Sequence, residues 1–314
     1  MEYIQPSFEI LAMTGHSELP YQYSPNPNIL MEVAGRTCYK TEKPLTVESS
    51  NKFVDKINKD NHLTVLEHSC EGRAYDEELA GRIFSWKNKY LEHSKHWTRI
   101  PGNHRNLEII SGNSRSWMEF DNQMSPEFRY DYIVVEQSFL REWAVAYNEP
   151  QLMRATVRII CDRGVTHEWV RHRPPAQSQE STRFVNYLKR LIQFIIPPWV
   201  NPKNFSVWSI FNKKALADLL WLIACFGSEW IYCALIKLGW SPQQARSVLI
   251  NSLKTEIVTT TDLREFQHIF AQRALGLTGK PHPQMKEVAL PMMEAFEKLE
   301  PSFFNEKEIS REYK

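Results

Sequence analysis

Apolar and polar positions along this chain repeat with two periods, and the places where one gives way to the other mark its elements. Residues 7–13, SFEILAM, alternate as an opening strand. Asn28 is placed to cap a helix in which Ile29, Leu30, Val33 and Ala34 fall at helical spacing, ending near Arg36-Thr37-Cys38-Tyr39. A second amphipathic helix follows Thr46, with Phe53, Val54 and Ile57 on its inner face. In LTVLEHSCEG, Leu63, Val65 and Glu67 alternate with Thr64, Leu66 and His68, which predicts a partly buried strand.

Residues 74–150 change character. Charges, four of the ten tryptophans (Trp86, Trp97, Trp117, Trp143) and the histidines His93, His96 and His104 are interspersed with two expected helices, around 77–92 and 133–147. Asn113 is placed to open another in GNSRSWMEF. This section reads as an insertion within a single domain spanning 1–314. From 151 the core pattern returns: ATVRII predicts a β-branched strand, Asp162-Arg163-Gly164 a turn, and the next residues a short helix carrying His167, Glu168 and Arg171. LIQFIIPPWV is a strand ended by two prolines.

Residues 213–239 form the longest helical run, apolar nearly all round, which predicts burial in a bundle or an interface. Ser241-Pro242-Gln243-Gln244 starts another helix and presents Arg246, and LKTEIVTTT is a strand. Asp262 caps DLREFQHIFAQRAL, with Glu265 at the capping-box position. On that helix Arg264 and His268 lie one turn apart, whereas Arg273 is displaced from His268 by roughly 140° at about 100° per residue. A last helix covers 284–299.

Composition narrows the class. The 314 residues are 42% hydrophobic and 24% charged, ordinary for a soluble globular protein, and net charge is +1. No global basic field draws the chain to nucleic acid or an anionic membrane, so anion recognition has to be local. The N-terminus lacks a basic and apolar leader, and LLWLIACFG is about half the length a membrane span needs, which predicts a cytoplasmic protein. The five cysteines (Cys38, Cys70, Cys161, Cys225, Cys233) form no CxxC pair and fit reduced thiols, with Cys225 and Cys233 in the core. His93 and His96, three residues apart, read as a surface pair, and no metal site is expected.

The chemistry concentrates in residues 171–184, RHRPPAQSQESTRF. Guanidinium groups keep their charge and favour planar, bidentate acceptors, so Arg171, Arg173 and Arg183 beside hydroxyls and amides point to a phosphate or a flat heterocycle. A solvated charged loop is the ordinary fate of such a run, but apolar segments flank this one on both sides, which places it at the edge of the core.

Arg171-His172-Arg173, seven residues, Ser181, and Arg183 two further on resemble the signature of the flavin-dependent thymidylate synthase (ThyX) family. GRTCYK (35–40), VLEH (65–68), residues 245–273 and HPQMKEVALP (282–291) are similar to other segments of that family. The resemblance implies an α+β fold, a mixed, largely antiparallel sheet flanked by long helices, and a homotetramer with shared active sites. It implies reductive methylation of dUMP to dTMP, with the methylene from methylenetetrahydrofolate and reducing equivalents from NADPH through FAD. Position by position, Arg171, His172 and Arg173 match flavin-holding residues, as do Asp262, Leu263, Arg264 and His268, while Cys38, His68 and Cys70 match positions near the cofactor. Glu168, Arg171, Gln179, Glu180, Ser181, Thr182, Arg183 and Arg246 match substrate-binding positions, and Arg273 matches the arginine that contacts the uracil ring and favours its ionised form.

Alone, Arg246 and Arg264 would be surface ion-pair partners, His268 a satisfied helix histidine, and Cys38 and Cys70 small core residues. Several positions depart from the family pattern. Gln179-Glu180 exchanges the usual carboxylate and amide, Glu168 and Asp262 stand where Gln and Asn are common, and Phe184 replaces a Tyr. Those carboxylates motivate an alternative, the same apparatus acting on another pyrimidine nucleotide or installing a hydroxymethyl group. A second alternative is a nucleotide-binding interaction protein in which chemistry has lapsed.

Overall fold

The computed structural model describes residues 2–41, 43–86, 88, 90–94, 96, 98–100, 106–123 and 131–311. In chain order the strands are β1 (Glu2–Ile4), β2 (Ser7–Met13), β3 (Glu71–Asp76), β4 (Leu91–His93), β5 (Leu107–Gly112), β6 (Ile133–Val135), β7 (Arg154–Asp162), β8 (Ala176–Gln179), β9 (Gln193–Ile195) and β10 (Lys254–Asp262). The α-helices are α1 (Pro27–Tyr39), α2 (Val47–Lys59), α3 (Glu77–Ser85), α4 (Ser114–Gln123), α5 (Gln137–Tyr147), α6 (Arg163–Trp169), α7 (Lys213–Lys237), α8 (Pro242–Ala245), α9 (Leu263–Phe270), α10 (Pro283–Leu299), α11 (Pro301–Phe304) and α12 (Glu306–Arg311).

The fold is α+β, as expected, but its larger sheets are not mixed. One has the order β2-β7-β10-β8 and another β4-β5-β3-β6, both antiparallel throughout. Parallel pairing occurs in the two-stranded β1-β9 sheet. β7 and β10, rich in Thr, Val and Ile, pair along their whole length, from Lys254 opposite Asp162 to Asp262 opposite Arg154. One face of this pair, with Val157, Ile159 and Ile257, packs on Trp169, Phe266, Phe270 and α10 in the principal core. The second sheet adds Ala74, Ile109 and Val135 to that core and, with its other face, builds a smaller one around Tyr75, Ile110 and Trp117. On the opposite face of β10, Val258 packs with Leu30, Val33 and Ala34 of α1.

Local signals explain most boundaries. Thr46 and Ser49 form a reciprocal cap at the start of α2, and Asn113 Oδ1 accepts the Ser116 N–H beside α4. α1 begins at Pro27 behind Asn26, and Asn28, expected as the cap, donates instead to Asn51 Oδ1 at 2.9 Å. Leu63–His68 is a 3-10 helix rather than a strand, packed under α1, and the strand starts only at Glu71. The helices expected over 77–92 and 133–147 are shorter, because Leu91–His93 and Ile133–Val135 are strands of the second sheet. No turn separates β7 from α6: Asp162 caps the helix directly. Trp97 and His104 lie outside the described residues. His93 and His96 have separate carboxylate partners, Glu108 and Glu149.

α7 departs most from expectation. Tyr232 and Cys225 are buried, but Leu220, Ile223, Phe226 and Trp230 face outward, Trp230 with 73% of its surface exposed, and Cys233 is only half-buried. Among the described residues this helix alone is long and apolar enough to cross a membrane by length and composition.

His68 lies wholly buried inside a chain of polar contacts, Nδ1 to Thr260 Oγ1 at 2.8 Å and Nε2 to Ser178 Oγ at 3.0 Å. Thr260 and Tyr23 each reach Thr156 Oγ1, at 2.7 and 2.9 Å. Burial pushes the imidazole pKa from 6.5 down to about 3, so the folded state holds the ring neutral. A folded pKa below the unfolded one gives stability that is present above pH 6.5 and lost as pH falls toward 3. Unfolding titrations across this range should therefore have a shallower acid slope in His68→Gln than in the unaltered chain.

Candidate ligand site

Two short helices carry the site toward itself. Asp162 Oδ1 accepts the Val165 N–H at 2.7 Å and Asp262 Oδ1 accepts the Glu265 N–H at 2.8 Å, caps each contributing about 1 kcal/mol. Because β7 and β10 are antiparallel, α6 and α9 start at opposite ends of the pair and run back over the same face, so their far ends meet. α6 ends at Trp169, placing Arg171 beyond the helix, and the two prolines that follow Arg173 prevent its continuation. α9 passes into a π-helical turn, Ala271–Leu275, closed by Gly276 at φ +71°. A Cβ at Gly276 would stand 2.8 Å from Pro281 Cδ, so glycine lets the 278–282 loop fold back.

Arg273 sits where these pieces converge. Its Nε donates to His172 Nε2 at 3.2 Å, and its Nη1 and Nη2 donate to Glu168 Oε2 at 3.0 Å and Glu168 O at 3.4 Å. A guanidinium can only donate, so His172 Nε2 is the unprotonated nitrogen and the ring proton lies on Nδ1, facing Glu265 Oε1 at 3.5 Å. The Glu265 carboxylate is therefore turned to His172, not to the capping box. The His268 and His172 ring centres are 6.0 Å apart, and Gln272 braces His268 Nε2 at 2.9 Å. The π-turn breaks the α-helical count, so Arg273 and His268 approach the same imidazole instead of serving opposite sides. Arg171, Arg273 and Lys280 face one carboxylate, Glu168, around a cavity of about 470 Å³. Arg173 is exposed.

The second half of the RHR segment forms a separate cluster. Gln179 donates to Thr166 Oγ1 at 2.9 Å and Thr255 Oγ1 at 3.2 Å. Glu180 is buried: Oε1 accepts from Tyr187 Oη at 2.9 Å, and Oε2 meets Lys254 Nζ at 3.1 Å and Lys40 Nζ at 3.5 Å. Burial opposes the Lys40 charge, yet Glu180 and Glu256 hold its pKa above the ordinary lysine value. Burial, with Lys40 alongside, lowers that of Lys254. With Arg36, Arg158 and Arg190 these groups line a cavity of about 620 Å³. The neighbouring loop is pinned by the Ser181 N–H to Cys38 O bond at 3.1 Å, and Arg246 Nη1 donates to Thr182 Oγ1 at 3.4 Å. Arg183 is exposed, its guanidinium 5.5 Å from the Phe184 ring centre.

Other expected residues have structural surroundings. Cys70 is buried between Thr14 and Ser111, and burial raises its thiol pKa. The Leu263 side chain lies in the principal core, and Asp262 serves as the α9 cap. Arg264 is exposed on the α9 surface. The sequence reading missed Lys40, Lys254, Glu265 and Glu92. Glu92, on β4, is brought by the second sheet into the field of Asp262, Arg154 and Arg264, and burial, then Asp262, push its pKa up to about 7. Its only sequence signal was position within a charged, poorly patterned section.

Fold and geometry together define an α+β protein with a cationic cavity where two capped helices converge. Residues 150–302 match the model of the family described as thymidylate synthase complementing protein. Flavin-dependent thymidylate synthases from Pyrococcus abyssi and Pyrococcus furiosus are each 30% identical, over 144 and 142 residues, covering 45% and 44% of this chain and 52% of each relative. The enzyme of that name from Mycobacteroides abscessus is 28% identical over 153 residues, 47% of this chain and 59% of the relative. The chain thus spans about half the length of the curated relatives it matches. Two solved structures of a UMP/dUMP methylase, PolB from Streptomyces cacaoi, one bound with 5-Br dUMP and one with 5-Br UMP, align at 18% identity. Their TM-scores are 0.40 and 0.41, and they cover 52% of this chain and 78% and 81% of theirs.

Replacing Glu180 by Gln leaves two partly buried ammonium groups sharing Glu256. Urea unfolding should report a loss of about 1–3 kcal/mol. Glu92 titrates in the opposite sense to a salt-bridged acid: its folded pKa lies above the unfolded 4.5, so its contribution is present below pH 4.5 and lost as pH rises toward 7. Glu92→Gln should accordingly gain stability over the unaltered chain at pH 8, and the gap should close by pH 4.

Proposed function

We propose that this chain is a flavin-dependent thymidylate synthase that methylates dUMP to dTMP, and the observation that carries the reading is Arg273, held between Glu168 and His172 at the rim of a cationic cavity. The chain is a single catalytic domain, 1–314, with 74–150 inserted in it, acting in the cytoplasm without nucleic acid or a membrane as partner. Methylenetetrahydrofolate supplies the carbon and NADPH the electrons.

The residues present fit FAD. Arg171 and Lys280 are exposed cations suited to phosphates, and the flat rings of His172 and His268 stand 6.0 Å apart behind Arg273 and Gln272, which line the cavity. Bound there, the flavin supplies hydride chemistry, and the chain supplies position and charge. Arg171, His172, Arg173, Arg264 and His268 hold the cofactor, with Asp262 and Leu263 fixing the helix that presents them. Cys70 stays in the supporting core.

Ser181, Thr182, Arg183 and Arg246 clamp the nucleotide phosphate through backbone N–H groups, hydroxyls and guanidinium groups. Arg273 stands against the pyrimidine and stabilises negative charge that develops on it, with Glu168 and His172 fixing its direction. Gln179 and Glu180 act from behind the loop. Their side chains are engaged with Thr166, Thr255, Lys40 and Lys254, so the exchanged amide and carboxylate brace the clamp and do not confront the phosphate. That engagement removes Gln179 and Glu180 as grounds for another pyrimidine substrate.

Arg273 lines one cavity, while Glu180, the residue before the Ser181–Arg183 loop, lines a separate one with Lys40 and Lys254, which supports a homotetramer whose sites are completed between copies. The outward apolar face of α7 is then covered by another copy.

Product analysis with dUMP, methylenetetrahydrofolate, NADPH and FAD should yield dTMP, and dCMP should not substitute. Arg273→Ala should retain flavin but lose methylation by about 10²–10³-fold, and normal turnover would remove it from this role. Light scattering should give a multiple of the 37.0 kDa chain. A monomer mass would contradict shared sites.

A further inference from the structure

Glu265 and His268 stand three residues apart on α9 and turn toward His172, which arrives from the end of α6. One donor atom from each lies within 4.8 Å of the other two. His172 Nδ1 and Glu265 Oε1 are already 3.5 Å apart, close to the edge of about 3.3 Å that two ligands make around tetrahedral zinc. Two imidazoles and a carboxylate are a donor set suited to zinc and to other divalent first-row metals, with a coordination position left for water or a ligand. His172 is buried, Glu265 and His268 are half-buried, and the loop 278–282 and Gln272 help wall the adjoining cavity. The cluster is therefore a partly enclosed set of ligands on two braced elements.

We propose that His172, Glu265 and His268 form a binding site for a divalent transition metal ion, zinc being the natural probe, and that metal binding and the Arg273–His172 hydrogen bond exclude each other. The exclusion follows from the proton on one ring. In the present arrangement Arg273 Nε donates to His172 Nε2, which requires the proton on Nδ1. A metal at Nδ1 displaces that proton, and a neutral imidazole then carries it on Nε2, where it confronts the Arg273 N–H. Arg273 must withdraw. Its positive charge, only 3.2 Å from Nε2, also opposes an incoming dication. Occupancy thus releases Arg273 from His172 while Glu168 still holds it, a switch at His172 and His268, for which metal and the proposed flavin compete.

The test uses the full chain, freed of metal, titrated with Zn²⁺ against a chromophoric chelator, and with Co²⁺ to read coordination geometry from its visible bands. One zinc per chain is expected. Glu265→Gln, close in shape to the native side chain, and His268→Ala should each weaken binding by more than about tenfold. His62→Ala, at an exposed histidine elsewhere, should not. Arg273→Ala should tighten binding severalfold, a gain that a misfolded variant would not give. Absence of stoichiometric zinc, or binding indifferent to Glu265→Gln and His268→Ala, would overturn the site. Affinity unchanged by Arg273→Ala would overturn the exclusion.

Discussion

The antiparallel pairing of β7 with β10 is the constraint from which the site follows. Each strand is nine residues long and each ends in an aspartate that caps the next helix without an intervening turn. The two helices are thereby committed to run back over one face of the sheet from opposite ends, and the apolar surface they bury against Ile159 and Ile257 holds them there. Their far ends meet, which brings Glu168 and His172 from one unit against Arg273, Glu265 and His268 from the other. Every group at that meeting point is polar or charged, and each is placed by a core residue nearby in sequence: Trp169 beside Glu168, Phe266 beside Glu265, Ile269 beside His268.

Charge is kept inside the structure by pairing, and the pairing changes what the carboxylates mean. Three acidic residues, Glu168 and Glu180 in or near the RHR segment and Asp262 at the start of α9, belong to a region read as anion-binding. The structure turns Glu168 to Arg273, Glu180 to Lys40, Lys254 and Tyr187, and Asp262 to the first turn of α9. Isolated, each would oppose an anionic ligand. Paired, they orient cations or backbone and leave Arg171, Arg183 and Lys280 directed outward.

Much of the fold was legible because local chemistry and tertiary structure agree. Thr46, Asn113, Ser241 and Asp262 all start helices where they should, and the β-branched runs of β7 and β10 are strands. Legibility failed where tertiary contacts overrode a short pattern. The alternation in Leu63–His68 fits a strand, but the segment is wound under α1 so that His68 can reach Thr260 and Ser178. Leu91–His93 and Ile133–Val135 became strands because β5 and β3 offered them edges. In the site, the signature arginines were visible as residue types, but which way a side chain faces was not. Glu180 was read as facing a substrate and is buried in a lysine pair. Glu265 was read as the capping-box residue behind Asp262 and faces His172. Lys40 and Glu92 came into view only through partners distant in sequence.

The central claim is that His172, aligned by Arg273 and Glu265, is the inner wall of a flavin site. The most direct measurement is a titration of the purified full chain with FAD, followed by visible absorption and by quenching of flavin fluorescence, in the unaltered chain and in His172→Ala. Saturable binding that is substantially weakened in the variant is the expected result. Equal affinity in the two proteins, or no uptake of FAD by either, would contradict the account.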